Sequence, residues 1–546
     1  MIKKKYIFLI LLILISMFVN LYGNKWDNGH YLHPDERLYV NASGITLPTN
    51  LREFFSSNSS LNPRMFYYGP FPLYLYKIFN SFVNPSINIL FTSRTLSGII
   101  TTLTTILIYF VGKKIFNEKI AIFASIAFTF APGIIQHAHF ITTESMLNFL
   151  IFLIIYLCTY LIKNKKYYLF LFIGVLLGCA EASKIIGITF ALVPLIAYFI
   201  LIKNHKEYLK ITIYFIGSMF IFILVSIILS PYQLIDLKSF LNEQKYMQGV
   251  ILGTNSAPFT IIYNYTLPYI YPLFKIIPFT FGFISFPIGI LGYFFLLYHV
   301  ADSYIKNGLK KYKLNYELLF LILIYPALYF GWAGSWFAKF SRYYILLIPF
   351  LSLSFGYIFN FFNKKLQFIF LFLIIINGLV FFHSIYFKTN TRIESSAWIY
   401  DNILSDKIIV GEHWDDNLPL PMENKKLFKI KQLNVYDLPD DNNKINNLVN
   451  ILYKSDYFII SSRRVYYSIM QNKDTYPLTN KFYELLFEEK LGFKLVKKFT
   501  EYPFIFSDDW ADESFQSYDH PPILIFVNQN KLSPSQMFSI ISINNN

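Results

Sequence analysis

The chain has 546 residues, of which 55% are hydrophobic and 15% charged, and its formal net charge is +15. Soluble domains carry about 25% charged residues, so this composition excludes a soluble globular protein and is also too apolar for a disordered one. Residues 1–387 carry a net charge of +18, whereas residues 388–546 carry −3. Because the basic excess belongs to the apolar part, it indicates a membrane protein and argues against nucleic acid as a partner.

Eleven segments of the chain are predicted to be membrane spans, which need about 20 mostly apolar residues each. The first follows Lys3–Lys5, and because no cleavage pattern comes after it we interpret it as an uncleaved anchor. Glu181 and Lys184 interrupt the stretch 167–202, which we interpret as two short helices joined by a polar turn. The predicted spans are 6–22, 92–111, 119–135, 141–162, 167–182, 185–202, 208–230, 276–298, 316–335, 342–360 and 366–386.

Lysines in alternate loops predict the orientation of these spans. The loops on the side of the N-terminus are basic, whereas the tip 136–140 on the opposite side contains no Lys or Arg. This pattern predicts a cytoplasmic N-terminus, and with eleven spans it predicts long outer loops at 23–91 and 231–275 and an extracytoplasmic tail. The basic loop residues are Lys3–Lys5, Lys113, Lys114, Lys119, Lys163, Lys165, Lys166, Lys203, Lys206, Lys210, Lys306, Lys310, Lys311, Lys313, Lys364 and Lys365.

The tail, 388–546, alternates helix-like and strand-like segments, which predicts a small extramembrane α/β domain. Helices are expected at Glu394–Leu404, Asn443–Tyr453 and Asn480–Glu489, and strands at Lys407–Glu412, Tyr457–Ser461, Phe493–Phe499 and Ile523–Val527. No glycine-rich phosphate loop is present in it, which argues against a nucleotide site. The predicted fold is therefore a polytopic α-helical membrane domain, 1–387, of about eleven spans, followed by this small domain.

The sharpest candidate site is Asp35-Glu36-Arg37, which lies soon after the first span. A carboxylate there could accept a proton from an attacking hydroxyl, and Arg37 could hold it ionised or bind an anion. The alternative is a solvated loop with a helix start, in which Pro34 occupies the first turn and the acids face the positive end of the helix dipole.

Two further candidates, Glu144 and Lys184, lie at the outer ends of apolar segments. Glu144 is costly there unless it is paired, faces a cavity or belongs to a helix start capped by Thr142 or Thr143. Lys184 could bind a phosphate, or it could pair with Glu181 three residues earlier.

Arg342 and Tyr343 begin a later span on the same predicted side, and Arg94 opens the second span. Since the positive end of a helix repels a cation, these arginines indicate an anionic partner at the membrane surface, with snorkelling lipid anchors as the alternative. All these candidates fall on one face of the membrane, where cations could neutralise a lipid phosphate and an acid could activate an acceptor.

Metal binding is not indicated by the sequence, although a divalent ion remains possible. His137 and His139 are poorly spaced as helical ligands and lack an evident third ligand. The acids of Ser507–Glu513, with Asp415 and Asp416, could bind a divalent ion, but we interpret them as a solvated acidic face. An acceptor- or sugar-binding role for the tail also stays open.

Several of these segments resemble the GT-C superfamily, and in particular the group of protein O-mannosyltransferases and lipid A aminoarabinose transferases. The resemblance extends over essentially the whole chain. The segments that carry it are Asp35–Tyr39, Tyr68–Tyr74, Arg94–Gly98, Ala131–Gly133, Thr143–Ser145, Gly174–Gly187, Arg342–Pro349, Ala397–Ile399 and Glu412–Asp416.

The resemblance implies an enzyme that transfers a sugar from a polyprenyl-phosphate carrier, with its site on the non-cytoplasmic side of the bilayer. Asp35 would match the family's first-loop catalytic acid, with Glu36 beside it, and Glu144 falls where many relatives carry Asp. We expect Lys184, Arg342 and Arg94 to bind the phosphate and Arg37 to orient Asp35. The acceptor could be a protein, a glycan or a lipid.

Two other functions share parts of this pattern. A non-enzymatic transporter or flippase of lipid-linked sugars would have the same topology, but it would place charged or broken helices near mid-membrane. The predicted spans are mostly free of charge there, which favours the enzyme. An oligosaccharyltransferase-like protein would require a set of metal-binding acids that the membrane loops barely supply.

Overall fold

The computed structural model describes residues 4–255, 257–307 and 316–542. It consists of a bundle of apolar helices followed by a small α/β domain, which confirms the predicted fold class. Within these described residues, seven helices are long and apolar enough to cross a membrane, and a bent pair makes an eighth. Among the basic loop positions, Lys3, Lys310, Lys311 and Lys313 lie outside the described residues.

Each of the eleven predicted spans falls on helical structure. The predicted spans 6–22, 167–182 and 316–335 correspond to apolar helices that are shorter than the eight membrane-length ones. In chain order the helices are Lys4–Leu21, Ile89–Ile115, Glu118–Thr129 with Pro132–Ala138, Thr143–Asn164, Leu169–Glu181, Ile185–Asn204, Tyr208–Leu229, Pro272–Phe281 with Ser285–Asn307, Tyr316–Ala333, Ser341–Phe359 and Lys364–Phe382 with His383–Phe387.

Two predicted spans are interrupted, and each break has a local cause. The helices Glu118–Thr129 and Pro132–Ala138 meet at 63°, because Pro132 has no N–H to continue the first helix and begins a new one. The segment predicted as 276–298 is broken at Gly282, whose φ of +101° ends one helix before the next begins at Ser285. The predicted polar turn between Leu169–Glu181 and Ile185–Asn204 is confirmed.

The two long loops contain short helices. The first loop forms Pro34–Ala42, Leu51–Phe54 and Phe71–Val83, and the second forms Tyr232–Ile235, Leu237–Leu252 and Pro258–Tyr263. The helix Phe71–Val83 is amphipathic: it buries Leu73 and Tyr76 but exposes Ile78 and Phe82. Such a helix suits the boundary between lipid and water.

The tail domain is built on a five-stranded sheet in the order β2-β1-β3-β5-β4. Its strands are β1 Ile408–Glu412, β2 Lys429–Leu433, β3 Tyr457–Ile460, β4 Phe493–Phe499 and β5 Ile523–Asn528. Strand β1 is parallel to both β2 and β3, whereas β5 is antiparallel to β3 and β4. The helices of the domain are Thr391–Asn402, Asn442–Tyr453, Arg464–Met470, Pro477–Phe487, Glu513–Gln516 and Pro534–Ser542.

The sequence predicted four of these strands and three of the helices, and it missed the others. Strand β2 is an edge strand with the sequence KIKQL, whose lysines and partial exposure weaken the hydrophobic pattern of a strand. The missed helices, Arg464–Met470, Glu513–Gln516 and Pro534–Ser542, have at most nine residues each, too few for a clear helical period.

The tail domain and the membrane helices share one apolar core. Val19 and Phe381 of the membrane helices pack in the same cluster as Phe515 and Ile525 of the tail. This shared core fixes the tail against the ends of the helices, where the candidate site residues lie.

A buried polar junction reinforces this contact. Asp519 of the tail accepts hydrogen bonds from Gln136 and Tyr386 of the membrane domain at 3.1 and 2.9 Å. His520 lies between Asp519 and Asp508, with its two ring nitrogens 2.5 and 2.9 Å from their carboxylates. Burial alone would lower the pKa of His520, but the two carboxylates raise it to about 10, so the ring is an imidazolium at neutral pH.

Candidate functional site

Asp35 lies in the first turn of the helix Pro34–Ala42. The main-chain N–H of Asp35 donates a hydrogen bond to Nδ1 of His33 at 3.2 Å. The helix start expected from the sequence is therefore present, but the Asp35 side chain is only 14% exposed and forms an ion pair with Arg342. Arg342 also donates a hydrogen bond to the Tyr68 hydroxyl at 2.8 Å. Burial opposes ionisation of Asp35, yet Arg342 and His33 hold its pKa well below the usual value, so it is a carboxylate at neutral pH.

Glu36 points away from Asp35 into a buried ionic cluster. Arg94 donates to Glu36 at 2.5 and 2.9 Å and to Asp27 at 2.8 and 2.9 Å, and its fifth N–H reaches the Asn24 carbonyl at 3.0 Å. The side chains of Arg94, Asp27 and Glu36 are fully buried. With no N–H left and no exposed surface, Arg94 cannot reach a phosphate, which corrects its expected role. Glu36 is likewise fully buried, with its carboxylate held by Arg94, so it has no surface free for a substrate.

Glu144 and Lys184 form the second ion pair of the site, with 3.0 Å between Nζ and Oε1. Glu144 lies in the first turn of Thr143–Asn164, and Lys184 lies in the turn before Ile185–Asn204. Lys184 thus pairs with Glu144 and not with Glu181, the alternative that the sequence left open. Its ammonium also lies 5.8 Å from the ring of Tyr343, within range of a cation–π contact.

A backbone contact holds the first loop against the Lys184 turn. The N–H of Gly69 donates to the Ser183 carbonyl at 2.9 Å, and the N–H of Phe71 donates to the Ala182 carbonyl at 3.1 Å. A Cβ atom at residue 69 would lie 1.9 Å from the Ala182 oxygen, so only glycine permits this approach. The contact keeps Tyr68 beside Lys184, whose Nζ lies 5.3 Å from the Tyr68 ring centre.

The Glu144–Lys184 pair faces a cavity of about 380 Å³, here called the apolar cavity. Ile188, Leu252 and Trp332 in its wall are each about half exposed, so the cavity opens towards the apolar surface of the bundle. Its other lining residues include Tyr68, Leu147, Ile185, Ile251, Trp336, Arg342, Tyr343 and Leu346.

A second cavity of about 400 Å³, here called the polar cavity, lies between the first loop and the tail domain. Arg342 lines both cavities and therefore marks where they meet. Arg37 lines the polar cavity and forms an ion pair with Asp416 of the tail at 2.5 Å. The other lining residues include Asp35, Phe259, Phe340, Arg392, Trp414, Asp415, Arg464, Glu513 and Tyr518.

Six of the eight candidate site residues thus line one cavity or the other, and Glu36 and Arg94 line neither. The six are Asp35, Arg37, Glu144, Lys184, Arg342 and Tyr343.

From the sequence we interpret Asp415, Asp416 and Glu513 as a solvated acidic face, with a divalent-ion site as the alternative. The other tail residues of the polar cavity were missed, although sheet topology explains them. Trp414 and Asp415 directly follow β1, and Arg464 follows β3, which is the parallel neighbour of β1. The carboxyl ends of adjacent parallel strands lie at the same edge of a sheet, and side chains that follow them converge there. The charged and aromatic residues that directly follow β1 and β3 could therefore have indicated this site from the sequence.

Of the four acids of Ser507–Glu513, only Asp509 is exposed, so the segment does not form the expected solvated face. Asp508, Asp512 and Glu513 are almost fully buried, since each has partners inside the protein. Asp508 contacts His520, Tyr271 donates to Asp512 at 2.9 Å, and Arg464 donates to Glu513 at 3.1 Å. Within the described residues, no three His, Cys, Asp or Glu side chains are grouped as metal ligands.

Comparison with known families identifies one stretch of the chain. Residues 68–230 match the family described as dolichyl-phosphate-mannose-protein mannosyltransferase. This match confirms the inferred resemblance to protein O-mannosyltransferases over these residues, which are less than a third of the chain. The matched stretch contains Tyr68, Arg94, Glu144 and Lys184. None of the curated proteins matches the chain.

Matches among solved structures include three proteins, each with a TM-score below 0.5. The archaeal oligosaccharyltransferase AglB from Archaeoglobus fulgidus, in complex with an inhibitory peptide and a dolichol-phosphate, is 12% identical, with a TM-score of 0.49 over 88% of this chain and 72% of that one. ArnT from Cupriavidus metallidurans, bound to undecaprenyl phosphate, is also 12% identical, with a TM-score of 0.47 over 97% and 98% of the two chains. The Pmt1–Pmt2 protein O-mannosyltransferase complex of S. cerevisiae, bound to the sugar donor, is 15% identical, with a TM-score of 0.33 over 44% and 35%.

Proposed function

We propose that the protein transfers a sugar from a polyprenyl-phosphate-linked donor to a hydroxyl group of an acceptor. The single observation that carries this proposal is the position of Arg342, which lines an apolar and a polar cavity at once and forms an ion pair with Asp35. The family match over residues 68–230 supports the same class of donor.

The apolar cavity suits the lipid part of the donor. Its wall is mainly aliphatic and aromatic and opens where Ile188, Leu252 and Trp332 are exposed, so a polyprenyl chain could enter it from the bilayer. The donor phosphate would then lie near Lys184 and Arg342, the two cations of this cavity. Preorganised cations of this kind stabilise a leaving phosphate, and loss of one such donor group typically costs about 10²–10³-fold in rate.

Asp35 would act as the base on the side of the polar cavity. The acceptor oxygen attacks the anomeric carbon and forms the new glycosidic bond, and its proton passes to a carboxylate oxygen of Asp35. The bond between the anomeric carbon and the phosphate oxygen breaks, and the electron pair leaves with the phosphate. This single displacement inverts the anomeric configuration. Arg37 and the buried Glu36–Arg94 pair hold the loop that carries Asp35.

We also propose that both cavities face the non-cytoplasmic side of the membrane, with the N-terminus in the cytoplasm. The alternation of basic loops supports this orientation. A membrane-impermeant thiol reagent, applied to intact cells, should label a Leu427→Cys variant, whose position is 75% exposed on the tail. Labelling only after lysis would contradict the orientation.

The catalytic proposal is tested by transfer of radiolabelled sugar from a polyprenyl-phosphate donor in membranes containing the protein. Asp35→Asn should reduce product formation by at least about 10²-fold, within the range attributed to general bases. The control is Glu53→Gln, which changes a partly exposed acid of the same loop that lines neither cavity. Transfer by Asp35→Asn at the wild-type rate would refute its role as base, and a wild-type protein that moves the donor without forming product would be a transporter.

A further inference from the structure

The polar cavity has an unusual charge balance. It is lined by four arginines and four carboxylates, so its formal net charge is zero. They are joined in ion pairs: Arg37 with Asp416 at 2.5 Å, Arg464 with Glu513 at 3.1 Å, Arg392 with Asp415 at 3.5 Å, and Arg342 with Asp35.

This balance selects for a particular ligand chemistry. A charged ligand would leave one of the lining groups without its counter-charge, which is costly in a partly desolvated cavity. A neutral molecule with many hydroxyl groups avoids that cost, because each hydroxyl can accept from an arginine and donate to a carboxylate. The volume of about 400 Å³ also lies within the range of about 300–1,000 Å³ that small-molecule sites occupy.

Trp414 supplies an apolar surface in the same cavity. Its side chain is 47% exposed and its ring centre lies 6.3 Å from that of Phe259, which comes from the second long loop of the membrane domain. Its backbone φ is +80°, a conformation that is strained, and therefore costly, for a bulky side chain. Burial of the half-exposed ring offsets little of this strain. The position of Trp414 therefore indicates that its ring contacts a ligand that is not part of the chain.

We propose that the polar cavity is the acceptor site and that its ligand is a neutral carbohydrate whose ring packs on Trp414. The aromatic face carries partial negative charge and attracts the C–H groups of a sugar ring, while the ion pairs around it bind the hydroxyls. This assignment rests on the proposed function: one hydroxyl of the carbohydrate reaches Asp35, gives it the proton and forms the glycosidic bond as the donor phosphate leaves.

Trp414→Gly is the informative variant, because glycine adopts positive φ without strain. A residue kept for folding would lose stability when its side chain is removed, whereas a residue kept for binding would lose only the ligand. We therefore expect Trp414→Gly to unfold at a temperature no lower than that of the wild type. Trp510→Gly is the matched control, since Trp510 is another exposed tryptophan of the tail, 64% accessible and outside the polar cavity.

The full-length proteins in lipid nanodiscs are applied to an array that carries neutral oligosaccharides, acidic oligosaccharides and serine- and threonine-containing peptides. We expect the wild type and Trp510→Gly to be retained on neutral oligosaccharides, and Trp414→Gly to be retained at least about tenfold more weakly, as the loss of one aromatic contact implies. Retention on peptides or acidic glycans alone, no retention on any neutral glycan, equal retention of Trp414→Gly, or its unfolding at lower temperature would overturn the proposal.

A separate measurement distinguishes this proposal from the donor assignment. Undecaprenyl phosphate should raise the unfolding temperature of the wild type and of Trp414→Gly equally, because the apolar cavity is intact in both. If it stabilised neither protein, the donor assignment would fail, while the array result would still decide what the polar cavity binds.

Discussion

Replacing Arg94 by methionine distinguishes a structural arginine from one that binds substrate. Arg94 makes four hydrogen bonds to the carboxylates of Asp27 and Glu36, and all three side chains are fully buried. Removing one partner of a buried ion pair typically costs about 3–5 kcal/mol, because the remaining charge is left uncompensated. Here two carboxylates are left, so we expect Arg94→Met to lose at least that much stability.

The triple variant Asp27→Asn, Glu36→Gln, Arg94→Met provides the control. It removes both carboxylate charges together with the arginine, so most of the lost stability should return. The measurement is the unfolding temperature of each purified protein in detergent, together with the sugar-transfer rate. If Arg94→Met unfolded at the wild-type temperature but transferred no sugar, the buried cluster would not be the reason for this arginine, and direct phosphate binding would have to be reconsidered.

Three other changes test the site and its support. Lys184→Met should reduce sugar transfer by about 10²–10³-fold. It should also lower the unfolding temperature, because it leaves the buried Glu144 carboxylate without its partner. A rate within threefold of wild type would remove this cation from the proposed phosphate site. Gly69→Ala should abolish transfer, because the added Cβ would lie 1.9 Å from a main-chain oxygen. Gly44→Ala is the control and should not affect transfer, because the space around Gly44 is open. Equal activities of the two variants would show that the close approach at Gly69 is dispensable. The raised pKa of His520 implies stability that is complete below about pH 6.5 and is lost as the pH rises through about 10. The unfolding temperature of the wild type should therefore fall over this window relative to His520→Gln, and parallel pH profiles would contradict the assignment.

Much of the membrane domain could be predicted because its signal is simple. Runs of about 20 apolar residues specify helices by length alone, and the polar residues Glu181 and Lys184 marked the one turn within a long run. The breaks at Pro132 and Gly282 were missed, because the flanking residues are equally apolar and hydropathy does not register a change of helix direction.

The site was predicted less completely, for a physical reason. Asp35, Glu144, Lys184 and Arg342 were found because ionisable groups at the ends of apolar helices require partners. Which partner each one takes depends on contacts between distant segments, such as the 307 positions that separate Asp35 from Arg342. Adjacent residues such as Asp35 and Glu36 looked equivalent in sequence, yet the helix turns them into different surroundings.

The position of Arg342 between the two cavities implies that the basicity of Asp35 depends on whether a donor is bound. Without a donor, the charge of Arg342 neutralises Asp35 and keeps that carboxylate a feeble proton acceptor. A phosphate that drew the guanidinium towards the apolar cavity would loosen this pairing and make Asp35 more basic only while a sugar is present. In the proposed reaction an empty site would then be inert, and Asp35 would become an effective base only once a lipid-linked sugar is bound.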